Sequence, residues 1–388
     1  MEMAPYTQSD FGRNPLMFYY EVTQACDLVC AHCRASAQEN GHPDELKTEQ
    51  SKALIDQIAS FPRKPILVMT GGDPLKRPDL FELIHHARAA DLQIALTPSA
   101  TPLATHDALK RVKEAGVLRL GISLDGPDAE THDAFRGWSG SFDRTLKMLD
   151  DAADLGMPVQ VNTTVTQRNK DKIDAMAELL STRSIAMWSV FFLIPVGRGV
   201  AEQRLSAEES EAVFERLWHH AQNQPYAVKT TEAPHYRRFV LQQHGNPLAG
   251  PTHHGRKHGD GRGAGHRAPL GVRDGNGVMF VSHIGEIYPA GFLPLVCGRF
   301  PNDSVVDVYQ NHEVFRALRE PSQFGGKCGV CEFRDVCGGS RSRAYAVTGD
   351  VLAEEPDCAY DPPEWDGKQT IRGRLSFGDQ QVGLPVTT

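Results

Sequence analysis

Three cysteines stand within eight positions near the start of the chain, at Cys26, Cys30 and Cys33. Their CxxxCxxC spacing offers three thiolates in one loop, which could hold three irons of a cubane cluster and leave the fourth iron without a protein ligand. The alternative is a structural zinc site, which needs four ligands and usually draws on CxxC pairs. The spacing therefore favours a 4Fe–4S cluster with one open iron, a position where a small molecule can bind.

A second group of cysteines lies near the end of the chain. Cys328 and Cys331 form a CxxC pair, Cys337 follows after five residues, and Cys358 completes the set. Four thiolates can close a 4Fe–4S cubane completely, and a four-cysteine zinc knuckle is the alternative that spacing alone leaves open. The eighth cysteine, Cys297, is interpreted as a buried or idle thiol, with the completion of a partial second site as the alternative.

Length and charge narrow the class of protein. The chain has 388 residues with 41 Lys plus Arg and 49 Asp plus Glu, a formal net charge of −8. This charge gives no general attraction to nucleic acid or to anionic membranes, and neither a signal peptide nor a membrane-spanning run is present in the sequence. We therefore predict a cytoplasmic protein, and in a reducing compartment clustered cysteines indicate metal rather than disulfides.

Short apolar runs alternate with amphipathic stretches over the first half of the chain. The predicted strands are 16–23, 65–70, 92–97, 117–124, 158–165 and 187–194, and the predicted helices are 48–60, 78–90, 105–115, 141–155, 172–181 and 206–222. Six such units predict an α/β fold, a partial (β/α)6 TIM-like barrel, with its chemistry at the carboxyl ends of the strands.

The remaining chain divides by composition. Residues 12–225 are assigned to the barrel, 226–277 to a linker or insertion with a His/Gly/Arg-rich loop, 278–362 to a small cysteine-bearing domain, and 363–388 to a flexible tail. A hairpin is expected at 278–289 and a short helix at 311–319. The histidines His253, His254, His258 and His266 are interpreted as filler of the linker rather than as ligands.

The loops that follow successive predicted strands resemble those of the radical SAM superfamily. Gly71-Gly72-Asp73-Pro74 is similar to the GGEP loop of that family, with Asp in place of Glu, and Ser123-Leu124-Asp125-Gly126 ends the fourth strand. The resemblance implies that Cys26, Cys30 and Cys33 hold the catalytic cluster. It also implies cofactor-binding roles for S-adenosylmethionine (SAM) at Gly71, Gly72, Asp73, Ser123, Asp125, Arg136, Asn162 and Leu193.

The cysteine-rich C-terminal segment resembles the SPASM/twitch extension of radical SAM enzymes. That extension often carries seven cysteines for two auxiliary clusters, whereas Ala290 and Ser340 occupy two of those positions here. The resemblance therefore implies one auxiliary 4Fe–4S cluster at Cys328, Cys331, Cys337 and Cys358. Such an auxiliary cluster could relay electrons or shape the substrate site.

Finer strings resemble the tetrapyrrole-modifying, haem-synthesis branch of the superfamily. They include His32-Cys33-Arg34-Ala35, Pro195-Val-Gly-Arg-Gly199 and Ala233-Pro-His-Tyr-Arg237, although Glu232 stands where that branch has a cysteine. Tetrapyrroles carry several carboxylates, so Arg198, His235 and Arg237, with Arg238 beside them, are candidate substrate groups. For His235, ligation of an iron and donation of a proton are the alternatives.

We therefore predict a radical SAM enzyme of the oxidoreductase or lyase type. It cleaves SAM reductively to a 5′-deoxyadenosyl radical that takes a hydrogen atom from a tetrapyrrole substrate, with electrons from an external donor such as flavodoxin or ferredoxin. The first alternative is a maturase of a ribosomal peptide or other cofactor precursor, against which we note that only about fifteen residues precede the first strand. A non-catalytic iron–sulfur electron carrier is the second alternative, and the SAM-type loops argue against it.

Overall fold

The computed structural model describes residues 6–245 and 271–367. The histidine-bearing stretch 253–266 and most of the predicted tail lie outside the described residues. Among the described helices, none is both long and apolar enough to cross a membrane.

One sheet of ten strands organises the described chain, in the order β10-β9-β8-β1-β2-β3-β4-β5-β6-β7. The strands are Met17–Thr23 (β1), Ile66–Gly71 (β2), Gln93–Leu96 (β3), Arg119–Ser123 (β4), Val159–Val165 (β5), Met187–Phe192 (β6), Ala227–Thr231 (β7), Val278–Val281 (β8), Glu286–Tyr288 (β9) and Gly298–Arg299 (β10). Strands β1 to β7 are parallel, and β8 adds to β1 in the same direction. Strand β9 runs antiparallel to β8, and β10 runs antiparallel to β9.

The helices lie between the strands and after them. They are Thr48–Ala59 (α1), Leu80–Ala89 (α2), His106–Glu114 (α3), Ala129–Arg136 (α4), Ser141–Asp154 (α5), Ile173–Ser181 (α6), Ala207–Asn223 (α7), His235–His244 (α8), Val305–Asn311 (α9), Glu313–Leu318 (α10), Gly326–Val330 (α11) and Arg341–Thr348 (α12). Side-chain caps start several of them. Thr105 accepts a hydrogen bond from Ala108 N at α3, and Ser206 forms a capping box with Glu209 at α7.

Alternation along the strands separates a core face from an inner face. On β6, Trp188 and Phe192 are buried against α7, where they contact His220 and Phe214. Phe191 points the other way, and its ring lies 6.1 Å from that of Phe292, which follows β9. Because strands near opposite edges of the sheet meet in this way, the sheet curves into a partial barrel. We call the space that it encloses the lumen.

The fold class predicted from the sequence is confirmed, since all six β-α units are present within a parallel α/β sheet. The division into domains stays a prediction. Three local expectations differ from the structure. Helix α4 lies in a stretch left without an element, β7 and α8 lie in the segment assigned to a linker, and the helix expected at 311–319 is two helices separated at His312. His312 accepts a hydrogen bond from Val314 N and so starts the second.

Candidate active site

The loop after β1 carries the first cysteine group. Cys26 and Cys30 are buried and Cys33 is half-buried. Backbone N–H groups approach two of the thiols, Leu28 N at 3.4 Å from Cys26 Sγ and Ala37 N at 3.4 Å from Cys33 Sγ. Amide donors of this kind stabilise thiolates and are typical of iron–sulfur sites. The loop thus presents its three sulfurs in a small cluster of its own, covered by Leu28, Ala37 and Trp138.

The loop after β6 holds the cysteine loop from the other side of the barrel. Arg198 donates through Nε to the carbonyl of Cys30 at 2.8 Å and through Nη1 to that of Ala37 at 3.0 Å. Gly197 has φ of +57°, and a Cβ there would lie 2.4 Å from the carbonyl oxygen of Arg34. Arg198 was predicted to bind substrate. The structure instead commits two of its nitrogens to the cysteine loop, so it acts here as a structural clasp.

Arg136, at the end of α4, lies between the cysteine loop and the fourth strand. Its Nη1 is 3.6 Å from Cys30 Sγ and its Nη2 is 2.5 Å from Asp125 Oδ2. Burial raises the pKa of the Cys30 thiol, and the guanidinium opposes this shift. For Asp125, burial is outweighed by Arg136 and His32, so its pKa is lowered. The arginine therefore supplies positive charge to both a cluster thiol and a buried carboxylate.

Asp125 is fully buried, and its oxygens are engaged by the protein. Oδ1 accepts from Thr164 N at 2.7 Å, and His32 Nε2 lies 3.7 Å from Oδ2. Asp125 therefore organises the residues around it, and its contact with the SAM ribose stays a prediction. Burial lowers the pKa of His32 to about 4, so this histidine is neutral. Its Nδ1 is buried without a hydrogen-bond partner among the described residues.

The loop after β2 packs closely against the cysteine loop. A Cβ at Gly72 would stand 2.3 Å from the carbonyl oxygen of Ala25, and one at Gly71 would stand 2.4 Å from that of Thr23. Only glycine permits this approach. Asp73 is buried and accepts hydrogen bonds from Thr101 Oγ1 at 2.7 Å and Leu75 N at 3.1 Å. It ties the β2 loop to the β3 loop, so its carboxylate positions the loop, and Asp73 N itself donates to the carbonyl of Ala25.

Ser123 and Asn162 lie side by side on the lumen faces of β4 and β5, paired in register. Asn162 Oδ1 accepts from Gln160 Nε2 at 2.8 Å. Ser123 Oγ has no hydrogen-bond partner among the described residues and is half-buried. Leu193 is buried directly after β6. These residues come from three neighbouring strands, β4 to β6, and the carboxyl ends of such strands are where α/β barrels bind their ligands.

The four cysteines of the second group line one small cavity. Its lining includes Cys328, Cys331, Cys337 and Cys358, together with His235. Among the described residues, no three His, Cys, Asp or Glu side chains converge closely enough to bind a single metal ion. Cys297 is not part of the lining. It is buried elsewhere in the core, and its Sγ lies 3.5 Å from the carbonyl of Leu295.

Donors and positive charges face this cavity. Glu355 N lies 3.3 Å from Cys328 Sγ and Gly339 N lies 3.4 Å from Cys337 Sγ. Two arginines approach at longer range, Arg341 to Cys328 Sγ and Arg238 to Cys358 Sγ. His235 is fully buried, and neither of its ring nitrogens has a partner among the described residues. An orphaned donor beside four thiols fits a group that carries acceptor atoms inside the cavity.

The substrate roles predicted for α8 are not supported by these positions. His235 lies at the second cysteine group, and burial lowers its pKa to about 3. Arg237 donates to the carbonyls of Val272 and Val336. Arg238 pairs with Glu211. Arg237 therefore connects α8 to the cysteine-rich segment and Arg238 connects it to α7, while the His235 ring has no hydrogen-bond partner among the described residues.

Two of the positions where the sequence lacks an expected cysteine come together. Ser340 Oγ donates to Glu232 Oε2 at 2.6 Å, and Glu232 also hydrogen-bonds Asp274. Glu232 is one of three non-glycine residues with positive φ in the described chain, at 58°. Burial, then the charge of Asp274, raises its pKa well above the usual value. We call Glu232, Asp274 and Ser340 the carboxyl network.

Comparison with known proteins agrees with this geometry. Residues 20–180 match the model of the radical SAM superfamily. The AdoMet-dependent heme synthase of Methanosarcina barkeri is 39% identical over 90% of this chain and 97% of that protein. The Fe-coproporphyrin III synthase of the same organism is 31% identical over 87% of this chain and 86% of that protein. Streptococcus suis SuiB, solved with its precursor peptide SuiA, has a TM-score of 0.68 at 14% identity and covers 91% of this chain and 78% of that one.

An α/β barrel that carries a three-cysteine loop at its strand ends defines an iron–sulfur enzyme of radical chemistry. The chain belongs to the radical SAM superfamily. Membership implies SAM and one 4Fe–4S cluster as cofactors. The cysteine loop and its neighbouring strand ends offer the donors that these cofactors require. What the sequence missed is the pairing of Arg136 with Cys30 and Asp125, because nothing in the order of the residues shows which cation lies beside which thiol.

Proposed function

We propose that this enzyme modifies a carboxylated tetrapyrrole, and that its particular reaction removes carboxylate from propionate side chains. The observation that carries the proposal is the 39% identity to a heme synthase over nearly the whole of both chains. A comparison of haem with Fe-coproporphyrin III suggests this decarboxylation. Haem carries two vinyl groups where Fe-coproporphyrin III carries two further propionates, and a second relative is a synthase of Fe-coproporphyrin III.

Within this proposal Cys26, Cys30 and Cys33 hold the SAM-binding cluster. When bound, the cluster and SAM supply a 5′-deoxyadenosyl radical that abstracts hydrogen, which is chemistry the cofactors provide and the protein directs. Abstraction of one hydrogen atom from the propionate carbon next to the ring leaves a carbon radical. Loss of carbon dioxide then forms the vinyl group and releases one electron, so each side chain needs an electron acceptor.

The chain's own residues orient and shield these steps. Arg136 neutralises charge at Cys30 and keeps Asp125 ionised. Arg198 and Gly197 fix the cysteine loop against the barrel. We assign the SAM contacts to Ser123, Asn162 and Leu193 and to the backbone of residues 71–73. Electrons for SAM cleavage come from an external donor of the flavodoxin or ferredoxin kind.

We further propose an auxiliary 4Fe–4S cluster at Cys328, Cys331, Cys337 and Cys358, which accepts the released electron. All four thiols line one cavity, and no three His, Cys, Asp or Glu side chains of the described residues lie close enough together to hold a single metal ion. This arrangement supports a larger group such as a cubane cluster. The amide donors at Cys328 and Cys337 are of the type that sets the potential of iron–sulfur clusters.

Iron counting tests the cofactor assignment. We expect the anaerobically reconstituted protein to bind about eight irons, and a Cys26/Cys30/Cys33→Ala variant to keep about four. Zinc in place of iron at the second group would refute the auxiliary cluster. The tetrapyrrole assignment is tested by incubating the enzyme with SAM, dithionite and Fe-coproporphyrin III. Products with vinyl groups support it, and an unchanged porphyrin beside active SAM cleavage refutes it.

A peptide maturase is the second candidate, because the fold resembles SuiB with its bound precursor peptide. At 14% identity this likeness shows the fold alone. The two candidates differ in what triggers SAM cleavage. A tetrapyrrole enzyme accelerates formation of 5′-deoxyadenosine when the porphyrin is added, whereas a maturase does so only with its peptide.

A further inference from the structure

We propose that Arg119 on β4 and Lys229 on β7 form a carboxylate-binding pair inside the lumen, which holds the propionate groups of the substrate. This inference rests on the proposed function and names the groups that would recognise the substrate's charge. It replaces the substrate roles that the sequence suggested for Arg198, His235 and Arg237.

The position of Lys229 follows from its neighbours on β6 and β7. Lys229 is paired in register with Ser189. Ser189 Oγ lies 2.9 Å from Thr231 Oγ1, so Ser189, Lys229 and Thr231 share one face of the sheet. The opposite face carries Trp188, which packs against α7. Lys229 therefore points into the lumen.

Arg119 faces the lumen for the same reason. On β4 the side chains of Leu120 and Ile122 are buried in the core beneath the helices. Arg119 and Ser123 alternate with them and belong to the inner face. The Arg119 side chain is half-buried, and the Lys229 side chain is exposed. Both cations thus line a space that a ligand can enter.

Register places this pair next to the proposed SAM residues. Ser123 is opposite Asn162, Asn162 is opposite Ser189, and Ser189 is opposite Lys229. These four residues form one row across neighbouring strands that are about 4.8 Å apart. Arg119 lies four residues before Ser123, about 13 Å towards the other end of the barrel. A flat substrate that lies beneath the cofactor would therefore contact Lys229 near the level of the proposed SAM residues and Arg119 deeper in the lumen.

The two cations face the same lumen and have no counter-charge among the described residues. The lumen keeps part of the bulk water away from the Lys229 ammonium, and this loss of hydration, with the charges of Arg119 and Arg237, lowers its pKa to about 8. Neither Arg119 nor Lys229 makes a hydrogen bond or ion pair with another described residue. Glu21, also on the inner face, is by contrast paired with Arg34 and His283. Unpaired cations brought together favour an anion between them.

The rest of the lumen suits the body of such a substrate. The rings of Phe191 and Phe292 lie 6.1 Å apart on the inner side. Tyr19 projects from the inner face of β1. Aromatic side chains offer flat apolar surfaces to a macrocycle, while the cations take its carboxylates. The ligand class is thus a flat molecule with several carboxylates.

Binding of Fe-coproporphyrin III to the reconstituted enzyme, without reductant, tests the pair directly through the porphyrin absorbance. We expect Arg119→Gln and Lys229→Gln each to weaken binding about tenfold or more, because each removes a charge-assisted hydrogen bond. Lys229→Arg should restore most of the affinity. Lys110→Gln, on the exposed side of α3, is the matched control and should bind as the wild type does.

Two readouts separate a lost charge from a damaged protein. Iron and sulfide content should equal that of the wild type in each variant. Higher salt should weaken the wild type more than the variants, since screening acts on the charges that the variants lack. If the wild type binds Fe-coproporphyrin III and both Gln variants bind equally well, the inference is wrong and the proposed function stands. If the wild type itself does not bind the porphyrin, the proposed function fails.

Discussion

Replacement of Glu232 by Gln tests the carboxyl network described above. Glu232 accepts from Ser340 Oγ and hydrogen-bonds Asp274, and the charge of Glu355 adds to that of Asp274. Arg343 opposes them but does not prevent the rise in the pKa of Glu232. Two carboxyl groups in contact share one proton, because both cannot ionise at short range without water. A Gln amide reproduces the protonated form, since it can donate to Asp274 and accept from Ser340.

The magnitude follows from proton linkage. The raised pKa means that the folded protein holds a proton that the unfolded chain has released. The free energy of unfolding of the wild type therefore falls as pH rises above the unfolded pKa of Glu and up to the folded one. One proton contributes up to about 1.4 kcal/mol per pH unit, or about 2.7 kcal/mol between about pH 5 and pH 7. An entropy of unfolding of about 2.1 cal/mol/K per residue converts this to about 3 °C for a chain of 388 residues.

Thermal unfolding at one fixed scan rate, at about pH 5 and about pH 7, measures this difference. We expect Glu232→Gln to match the wild type at the lower pH and to unfold about 3 °C higher at the upper pH. Glu114→Gln, at the exposed end of α3, should change by the same amount at both pH values. Equal midpoints for wild type and Glu232→Gln at the upper pH would refute a shared proton in the network.

Three further outcomes are expected. Cys358→Ser should reduce iron by about four atoms while 5′-deoxyadenosine still forms, as elemental analysis and chromatography will show; full iron content would contradict the assignment. His235→Phe removes the orphaned donor beside the second cysteine group and should lower the reduction potential of that cluster by on the order of 60 mV. A redox titration followed by electron paramagnetic resonance measures this shift. An unchanged potential would mean that His235 makes no hydrogen bond to the cluster. Because the pKa of Lys229 is about 8 beside Arg119 and Arg237, Fe-coproporphyrin III should bind up to tenfold more weakly per pH unit above that value, and Lys229→Arg should abolish this dependence.

The β-α units were predictable because their strands are apolar runs and their helices are amphipathic. Strand β7 was not, since its inner face carries Lys229 and its sequence Ala-Val-Lys-Thr-Thr lacks the pattern of a buried strand. Its partner is β6, and α8 follows directly. A strand that borders a solvent-filled lumen is stabilised by pairing rather than by burial of both faces, and pairing is not visible in one sequence.

The candidate site, too, has features that the sequence predicted and features that only the folded structure shows. Cysteine spacing predicted both groups of thiols, because each group is local in sequence or nearly so. The roles of individual charges depend on contacts across the barrel. Arg198 clasps the cysteine loop from more than 160 positions away, and Arg119 and Lys229 face one lumen only because the sheet curves. Such pairings require the folded barrel before they can be recognised.

The most direct test of the proposed function is one anaerobic incubation with SAM, dithionite and Fe-coproporphyrin III, analysed for both products by mass spectrometry. We expect 5′-deoxyadenosine to form together with a porphyrin that has lost propionate carboxylates and gained vinyl groups, and we expect Cys30→Ala to form neither. Formation of 5′-deoxyadenosine with no change in the porphyrin would contradict the substrate, and its absence in the reconstituted wild type would contradict the radical chemistry itself.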